Sequence, residues 1–287
     1  SPQLAWLETL DIKPREWIIP IEDLELLSLS ELERYKLLKH KIDELKEKSS
    51  ADLAKSLNEK IKVEWDIINQ GKGIFPEKAA PKLESNILNN RLQNIQSIIN
   101  QIGTCQRKVI EFDKESEEIF FSEGHALIIE PRKLKSKVVI QSWLIHLKLS
   151  AYNEYFKETF VITRSSSIRD KDGYQISLKW KPLKTEKAKM ILEDLRMITC
   201  MGLKECWPIP PESGWALARG SEESPLKGEK EFLKTWNGSF NIQGECQKEE
   251  MYICFGKECK ASILLESTEF KEAFSLLYTP MLENLSK

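Results

Sequence analysis

Apolar residues recur along this chain with two periods, and the switch between them divides it. A capping-box pattern at Ser28-Leu29-Ser30-Glu31 opens a helix; Leu32, Tyr35, Leu38, Ile42 and Leu45 follow at helical spacing. A second helix is predicted from about Ala51, with Leu53, Leu57, Ile61, Trp65 and Ile68 on its stripe, stopping at Gly71. The connector through Gly73-Ile74-Phe75-Pro76 reads as a loop. A third helix is predicted from Pro81 to Gly103 through Leu83, Ile87, Leu92, Ile95, Ile99 and Ile102. After Gly103 the period shortens. Arg107 to Phe112, Glu118 to Ser122 and Ala126 to Ile129 read as a strand meander. Thr159 to Thr163 and Tyr174 to Lys179 read as two more strands, with Asp172-Gly173 as the turn signal before the second.

The stretch from Ala126 to Tyr152 is the expected centre of the fold. Its apolar run is too short for a helix and reads as a buried strand. Pro131 is expected to break the ladder, and a basic hinge of Arg132, Lys133, Lys135 and Lys137 follows. From Ser136 the spacing is helical: Val139, Trp143 and Leu147 share one stripe, Ile140 and Leu144 the next. Apolar over so much of its circumference, this helix is expected to be buried and packed on a sheet, with Trp143 and His146 as core residues.

Outside that centre the pattern is less even. Residues 1–27 read as a loop-rich lead-in punctuated by Pro14 and Pro20 and carrying Trp6 and Trp17. Thr185 begins a helix with Ala188, Ile191, Leu192, Leu195 and Met201 inward, and Pro208, Pro210 and Pro211 end that region. Residues 212–262 read as irregular, with one short helix around Glu229 to Trp236 and Gly- and Cys-containing loops. Ser267 is expected to cap a last helix through Phe270, Phe274, Leu277 and Met281, kinked at Pro280. The expected architecture is α/β: a mixed sheet flanked by helices, with an N-terminal helical segment. The expected divisions are a lead-in at 1–27, a helical segment at 28–103 and an α/β domain at 104–287.

With 41% hydrophobic and 31% charged residues the chain is globular rather than disordered. No apolar run approaches the length of a membrane span, which with the missing secretion signal points to a cytoplasmic protein. The six cysteines never form Cys-x-x-Cys, so reduced thiols are expected in preference to a metal cluster. Charge is unevenly spread. Between Pro131 and Lys189 stand fourteen Lys and Arg against five Asp and Glu; from Glu222 onward the balance is eight against twelve. The basic middle suits a phosphate backbone, the acidic end a protein neighbour.

No phosphate-binding glycine loop is present, so ATP is not expected here. The sharpest motif is Glu130-x-Arg132 at the end of the buried strand, with Glu111 and Asp113 on an earlier one. Metal-dependent nucleases of the restriction-endonuclease-like fold use an acid on one strand and acid-x-Lys on the next to hold Mg²⁺ and activate water. Here Pro131 sits inside the motif and Arg132 takes the lysine position, where a guanidinium cannot give up its proton near neutrality. These positions therefore read as a degenerate nuclease site: a nuclease-like domain with no catalytic or metal-holding residue of its own. A domain active in its own right as a metal-dependent DNA nuclease is the alternative. Lys179, Trp180 and Lys181 interleave bases with an aromatic. That pattern either stacks and neutralises nucleic acid or blunts a strand edge.

An ordered set of motifs resembles the C-terminal domain of RecC, the gamma chain of exodeoxyribonuclease V (the RecBCD helicase–nuclease complex). It runs from Leu29-x-x-Leu32-Glu33-Arg34-Tyr35 and Gly73-Ile74-Phe75-Pro76 to Ser142-Trp143-Leu144-Ile145-His146-Leu147. It continues through Pro208-Ile209-Pro210, Ser213-Gly214-Trp215-Ala216 and Glu269-Phe270 to Leu276-Leu277-Tyr278-Thr279-Pro280-Met281. The resemblance implies a fragment of a larger bacterial subunit that keeps a nuclease fold without its catalytic residues. It implies a role in DNA repair and recombination at double-strand ends: splitting and guiding the duplex and its unwound strands, and contacting RecB-like and RecD-like subunits. Mg²⁺ and ATP are then expected only in those partners. On this reading Arg132, Lys133, Lys135, Lys179, Trp180 and Lys181 are the DNA-contacting candidates.

Overall fold

The computed structural model describes residues 1–12, 28–47, 80–112, 115–153, 156–167, 170–240, 242–256 and 259–286. The helix expected from Ala51, the Gly71–Pro76 connector, Pro14, Trp17, Pro20 and Asp113 lie outside the described residues. The chain forms two compact units that interleave along the sequence. A helical unit takes Ser1–Ile19, Lys135–Ala151 and Leu183–Leu285; a sheet unit takes Pro20–Leu134, Tyr152–Pro182 and Ser286–Lys287.

In the sheet unit, α2 (Glu31–Glu47) and α3 (Ala80–Ile102) precede β1 (Gln106–Phe112), β2 (Glu115–Ser122) and β3 (His125–Lys133). After α4 (Ser136–Tyr152) come β4 (Thr159–Arg164) and β5 (Tyr174–Trp180). The five strands lie in the order β1-β2-β3-β4-β5. All neighbours are antiparallel except β3 and β4, which run parallel, and a parallel pair needs a long crossover such as the one through α4. The sheet is therefore mixed, as its sequence pattern indicates.

Between β2 and β3 only Glu123 and Gly124 remain, at φ 51° and 90°, with Ser122 opposite His125. Positive φ at both turn residues is the two-residue hairpin geometry whose twist matches that of the strands. Phe120, Leu127, Phe160 and Ile162 form a core with Leu38 and Ile42 of α2 and Leu88, Leu92, Ile95 and Ile99 of α3. On α3, Leu92, Ile95 and Ile99 are inward as expected, whereas Leu83 is exposed and Leu88 is buried in the first turns. The capping box also sits two residues later than expected. Ser30 and Glu33 exchange the two bonds, Glu33 N to Ser30 Oγ (3.2 Å) and Ser30 N to Glu33 Oε2 (2.7 Å).

The helical unit contains α4 and α1 (Pro2–Thr9), then α5 (Thr185–Gly202), α6 (Pro211–Ser221), α7 (Pro225–Asn237), α8 (Glu249–Phe255), α9 (Ala261–Glu266) and α10 (Thr268–Asn284). A short hairpin, β6 (Gly238–Ser239) and β7 (Ile242–Gln243), follows α7. Residues 2–9, expected as loop, are a helix because Ser1 caps it from Oγ and Pro2 occupies its first turn. Most of 212–262, expected as irregular, is helical too. Gly214, Gly220 and Gly228 mark close packing, whereas Gly238 and Gly256 end helices at φ 73° and 81°. A Cβ on Gly220 would stand 2.8 Å from the Cα of Gly228, so α6 and α7 meet backbone to backbone. A Cβ on Gly214 would meet the Tyr278 ring at 2.8 Å.

The Glu245 carboxylate is buried and caps α6, accepting from Glu212 N (3.0 Å), Ser213 N (2.6 Å) and Ser213 Oγ (2.7 Å). Phe232, Trp236, Phe270 and Tyr278 fill the core of this unit, and Ser267 caps α10 as expected. In α4, Val139, Trp143, His146 and Leu147 are buried as read. The neighbouring stripe is not: Ile140 and Leu144 line a groove of about 680 Å³ with Leu195, Trp207 and Leu277. Met201, expected inward on α5, is exposed with Met190 and Met197, because the buried stripe runs through Ala188, Ile191 and Leu195.

Candidate functional site

The end of β3 differs from the sequence expectation. Pairing does not stop at Pro131; it slips. Glu130 lies opposite Thr163, and the ladder resumes with Lys133 opposite Arg164 after a bulge. Proline has no N–H to donate, and a bulge is where a sheet can accommodate it. The Tyr174 hydroxyl donates to the Pro131 carbonyl (2.9 Å) and pins the bulge, and burial pushes that phenol up to about 12.

The bulge brings Arg132 back onto Glu130. Its Nε donates to Glu130 Oε1 (2.9 Å), its Nη2 to Oε2 (3.3 Å) and its backbone N to Oε1 (3.1 Å). The guanidinium lies 4.0 Å from the centre of the Tyr35 ring on α2. The ion pair with Glu130 holds Arg132 above the usual arginine range. The forked donor set of arginine matches both carboxylate oxygens, which a lysine would not do. The Glu130 carboxylate is thus already occupied by a guanidinium.

The other degenerate positions do not complete a site. Side chains alternate along a strand, and register carries that alternation across the sheet. Arg107 opposite Phe120, and Phe120 opposite Leu127, put Glu111 on the face of Phe120 and Leu127. Glu130, three residues past Leu127, is on the other face. With one strand between them, Glu111 and Glu130 are separated by about 10 Å in the sheet plane. No ion can be shared across that arrangement, so these two carboxylates do not fit a Mg²⁺ centre. Among the described residues no group of three or more acids, histidines and cysteines could hold a metal.

Around the same end of the sheet the acids are taken by arginines, a network the sequence reading missed. Arg34 grips the buried Glu84 with Nε and Nη2, both at 2.8 Å, and the pairing holds Glu84 below the usual carboxylate range. The fully enclosed Arg91 donates to Asp172 Oδ1 (2.7 Å) and Glu31 Oε1 (2.9 Å), and Arg164 also pairs with Glu31. The network ties α2, α3, the end of β4 and the loop before β5. Its sequence trace was faint: Glu31 and Asp172 were legible only as cap and turn residues.

The basic candidates fall into separate places. Arg132 and Lys133 stand at the C-terminal end of β3, and Lys133 is exposed. Lys179 and Lys181 stand at the opposite end, because Lys179 pairs with Phe160 near the start of β4. Four residues of strand, roughly 13 Å, separate the two levels. Lys181 is exposed, whereas the Lys179 ammonium is 3.2 Å from Glu158 and lies over the Phe160 ring. Trp180 is fully buried and offers no ring face to a base; alternation on β5 turns it into the core, opposite to its lysine neighbours. Lys135 is exposed in the helical unit, and its carbonyl accepts from Val138 N and Val139 N in the first turn of α4.

Residues 1–222 match the family model for the RecC C-terminal domain. The chain belongs to that family. Membership gives it a role as part of a RecBCD complex subunit in DNA repair, in keeping with the resemblance read from its motifs. No curated protein matches the chain. Among the described residues of this RecC-type domain, no helix is long and apolar enough to cross a membrane.

Proposed function

We propose that this RecC-type domain is a non-catalytic part of an exodeoxyribonuclease V complex, a restriction-endonuclease-like sheet that guides DNA instead of cutting it. It requires neither Mg²⁺ nor ATP of its own; both serve RecB-like and RecD-like partners. The observation that carries the reading is the three-bond grip of Arg132 on Glu130, which fills with a guanidinium the place a metal would take. The meander followed by a helix crossover to a parallel strand supports the nuclease-like reading of the sheet.

DNA is held at its phosphates by Lys133 and Arg132 at one end of the sheet, by Lys181 and Lys179 at the other, and by Lys135 before α4. Trp180 serves the core. Contacts of this kind give little sequence preference and a steep salt dependence. Fluorescence anisotropy of a labelled duplex end, titrated with the purified chain at several salt concentrations, tests this. Binding should weaken steeply with salt. Lys133→Glu and Lys181→Glu should each reduce the slope of log K against log salt by about 1. Salt-insensitive binding, or variants that bind as the parent does, contradicts the assignment. Sustained metal-dependent cleavage by the chain would favour the alternative of a nuclease in its own right.

A further inference from the structure

The groove beside α4 lies wholly within the helical unit, and its walls are helices and the segment that joins α5 to α6. From α4 come Ile140 and Leu144, from α5 Leu195, Ile198 and Leu203, and from α10 Leu277. Its volume of about 680 Å³ is that of a small-molecule site, but such a site encloses most of its ligand. This one is open. Leu144 and Leu203 on its walls are 36% and 44% exposed. Met201 and Leu276, chain neighbours of the lining Gly202 and Leu277, are exposed as well. An apolar surface left open in this way marks a site for another macromolecule. One end of the groove is polar. Ser136 opens α4 there; it is 1% exposed, and its Oγ has no hydrogen-bond partner among the described residues. The Ser136 N donates to Glu212 Oε2 (3.4 Å), Glu212 N donates to Glu245 Oε1 (3.0 Å), and that oxygen stands 3.7 Å from the Lys248 ammonium. Lys137, Lys248 and Glu250 complete the lining.

We infer that this groove receives an amphipathic helix of a partner subunit. The apolar stripe of that helix lies against Ile140, Leu144, Leu195 and Leu203, and its C-terminal carbonyls face Ser136, Lys137 and Lys248. The inference rests on the subunit role proposed above and adds the surface and the chemistry of the contact. A strand would need an open sheet edge to pair with, and helical walls present none. A groove between helices takes side chains at i, i+4 and i+7 of another helix. The direction follows from charge. The last carbonyls of a helix have no intrahelical partner and carry its negative end. At the polar end of the groove they meet an unpartnered hydroxyl, two ammonium groups and the positive start of the 17-residue α4. Of the two carboxylates there, Glu212 is already engaged by the Ser136 N–H.

The test co-expresses the chain with RecB-like and RecD-like subunits and isolates the assembly by size exclusion. Benzoylphenylalanine replaces Leu144, Leu203 or Lys137, one at a time; light cross-links each assembly, and peptide mass spectrometry locates the products. The Leu144 and Leu203 variants should link to one partner segment whose apolar residues recur three and four positions apart. The Lys137 variant should link nearer the C-terminal end of that segment. Leu203→Glu, at an exposed position whose fold circular dichroism checks, should weaken the association by about tenfold. The cross-links stand without that variant. An assembly in which Leu144 and Leu203 variants link to no partner, to a second copy of the chain or to a segment without that spacing overturns the inference and leaves the subunit role standing. So does a folded Leu203→Glu chain that associates as the parent does, or a Lys137 link at the N-terminal end of the segment. Failure of the three chains to assemble overturns the subunit role and this inference together.

Discussion

In the sheet unit, four arginines (Arg34, Arg91, Arg132 and Arg164) reach into a single end of the sheet and engage Glu84, Glu31, Asp172 and Glu130. In the helical unit the core contacts are uncharged, Gly220 on Gly228, Gly214 on the Tyr278 ring and Phe232 on Phe270, and the buried Glu245 carboxylate is held by α6 N–H groups and a hydroxyl with no arginine among the described residues. A carboxylate enclosed with an arginine depends on one partner at one angle, because breaking the pair strands a charge. A glycine contact depends only on volume. The sheet unit should therefore be sensitive to changes of polarity and pH, and the helical unit to changes of size.

The largest effect is expected where a large ring leaves the helical core. Trp236 is buried and its Nε1 donates to the Cys259 carbonyl (3.1 Å), so Trp236→Ala should cost about 3–5 kcal/mol in urea-induced unfolding. A cost below about 1 kcal/mol would mean that the unit does not depend on this ring.

Next comes the ion network. Glu84→Ala leaves Arg34 without its bidentate partner and should cost about 3 kcal/mol. The same pair predicts acid sensitivity. Glu84 is held below its ordinary value of 4.5, so its contribution is complete above that value and is lost as pH falls through the lower folded one. Stability measured from pH 6 downward should drop more gently in Glu84→Gln than in the parent. Parallel curves would remove Glu84 from the account.

Smaller still, Gly220→Ala should destabilise by about 1–3 kcal/mol through overpacking, without altering the acid response. The smallest effect should come from the exposed Lys187–Glu283 pair (3.2 Å), where Lys187→Ala should change stability by about 0.5 kcal/mol or less.

The sequence pattern disclosed the two units unequally, and the reason is physical. A strand announces itself by short alternation and by its turns, so all five strands of the sheet were legible from 107 to 179. The α4 helix and its buried Trp143 were legible because their apolar spacing is dense. Helix α6 was not, because Gly214 and Gly220 carry the signature of loops although here they serve contact, and α7 was read only from Glu229 because Gly228 in its first turns carries the same signature. Of the candidate site, the degenerate Glu130-Pro131-Arg132 string was visible in one dimension. The opposite faces of Glu111 and Glu130 follow only from strand register, and the arginine network joins residues up to 133 positions apart. Trp180 was read as available for stacking because a Lys-Trp-Lys string does not say which way its middle member turns.

On the proposed reading Glu130 serves Arg132 and not a metal. Incubating the purified chain with linear duplex DNA and Mn²⁺ or Mg²⁺ tests it most directly. Duplex length should stay unchanged in the parent and in Glu130→Ala alike. Progressive degradation by the parent that Glu130→Ala abolishes would contradict it.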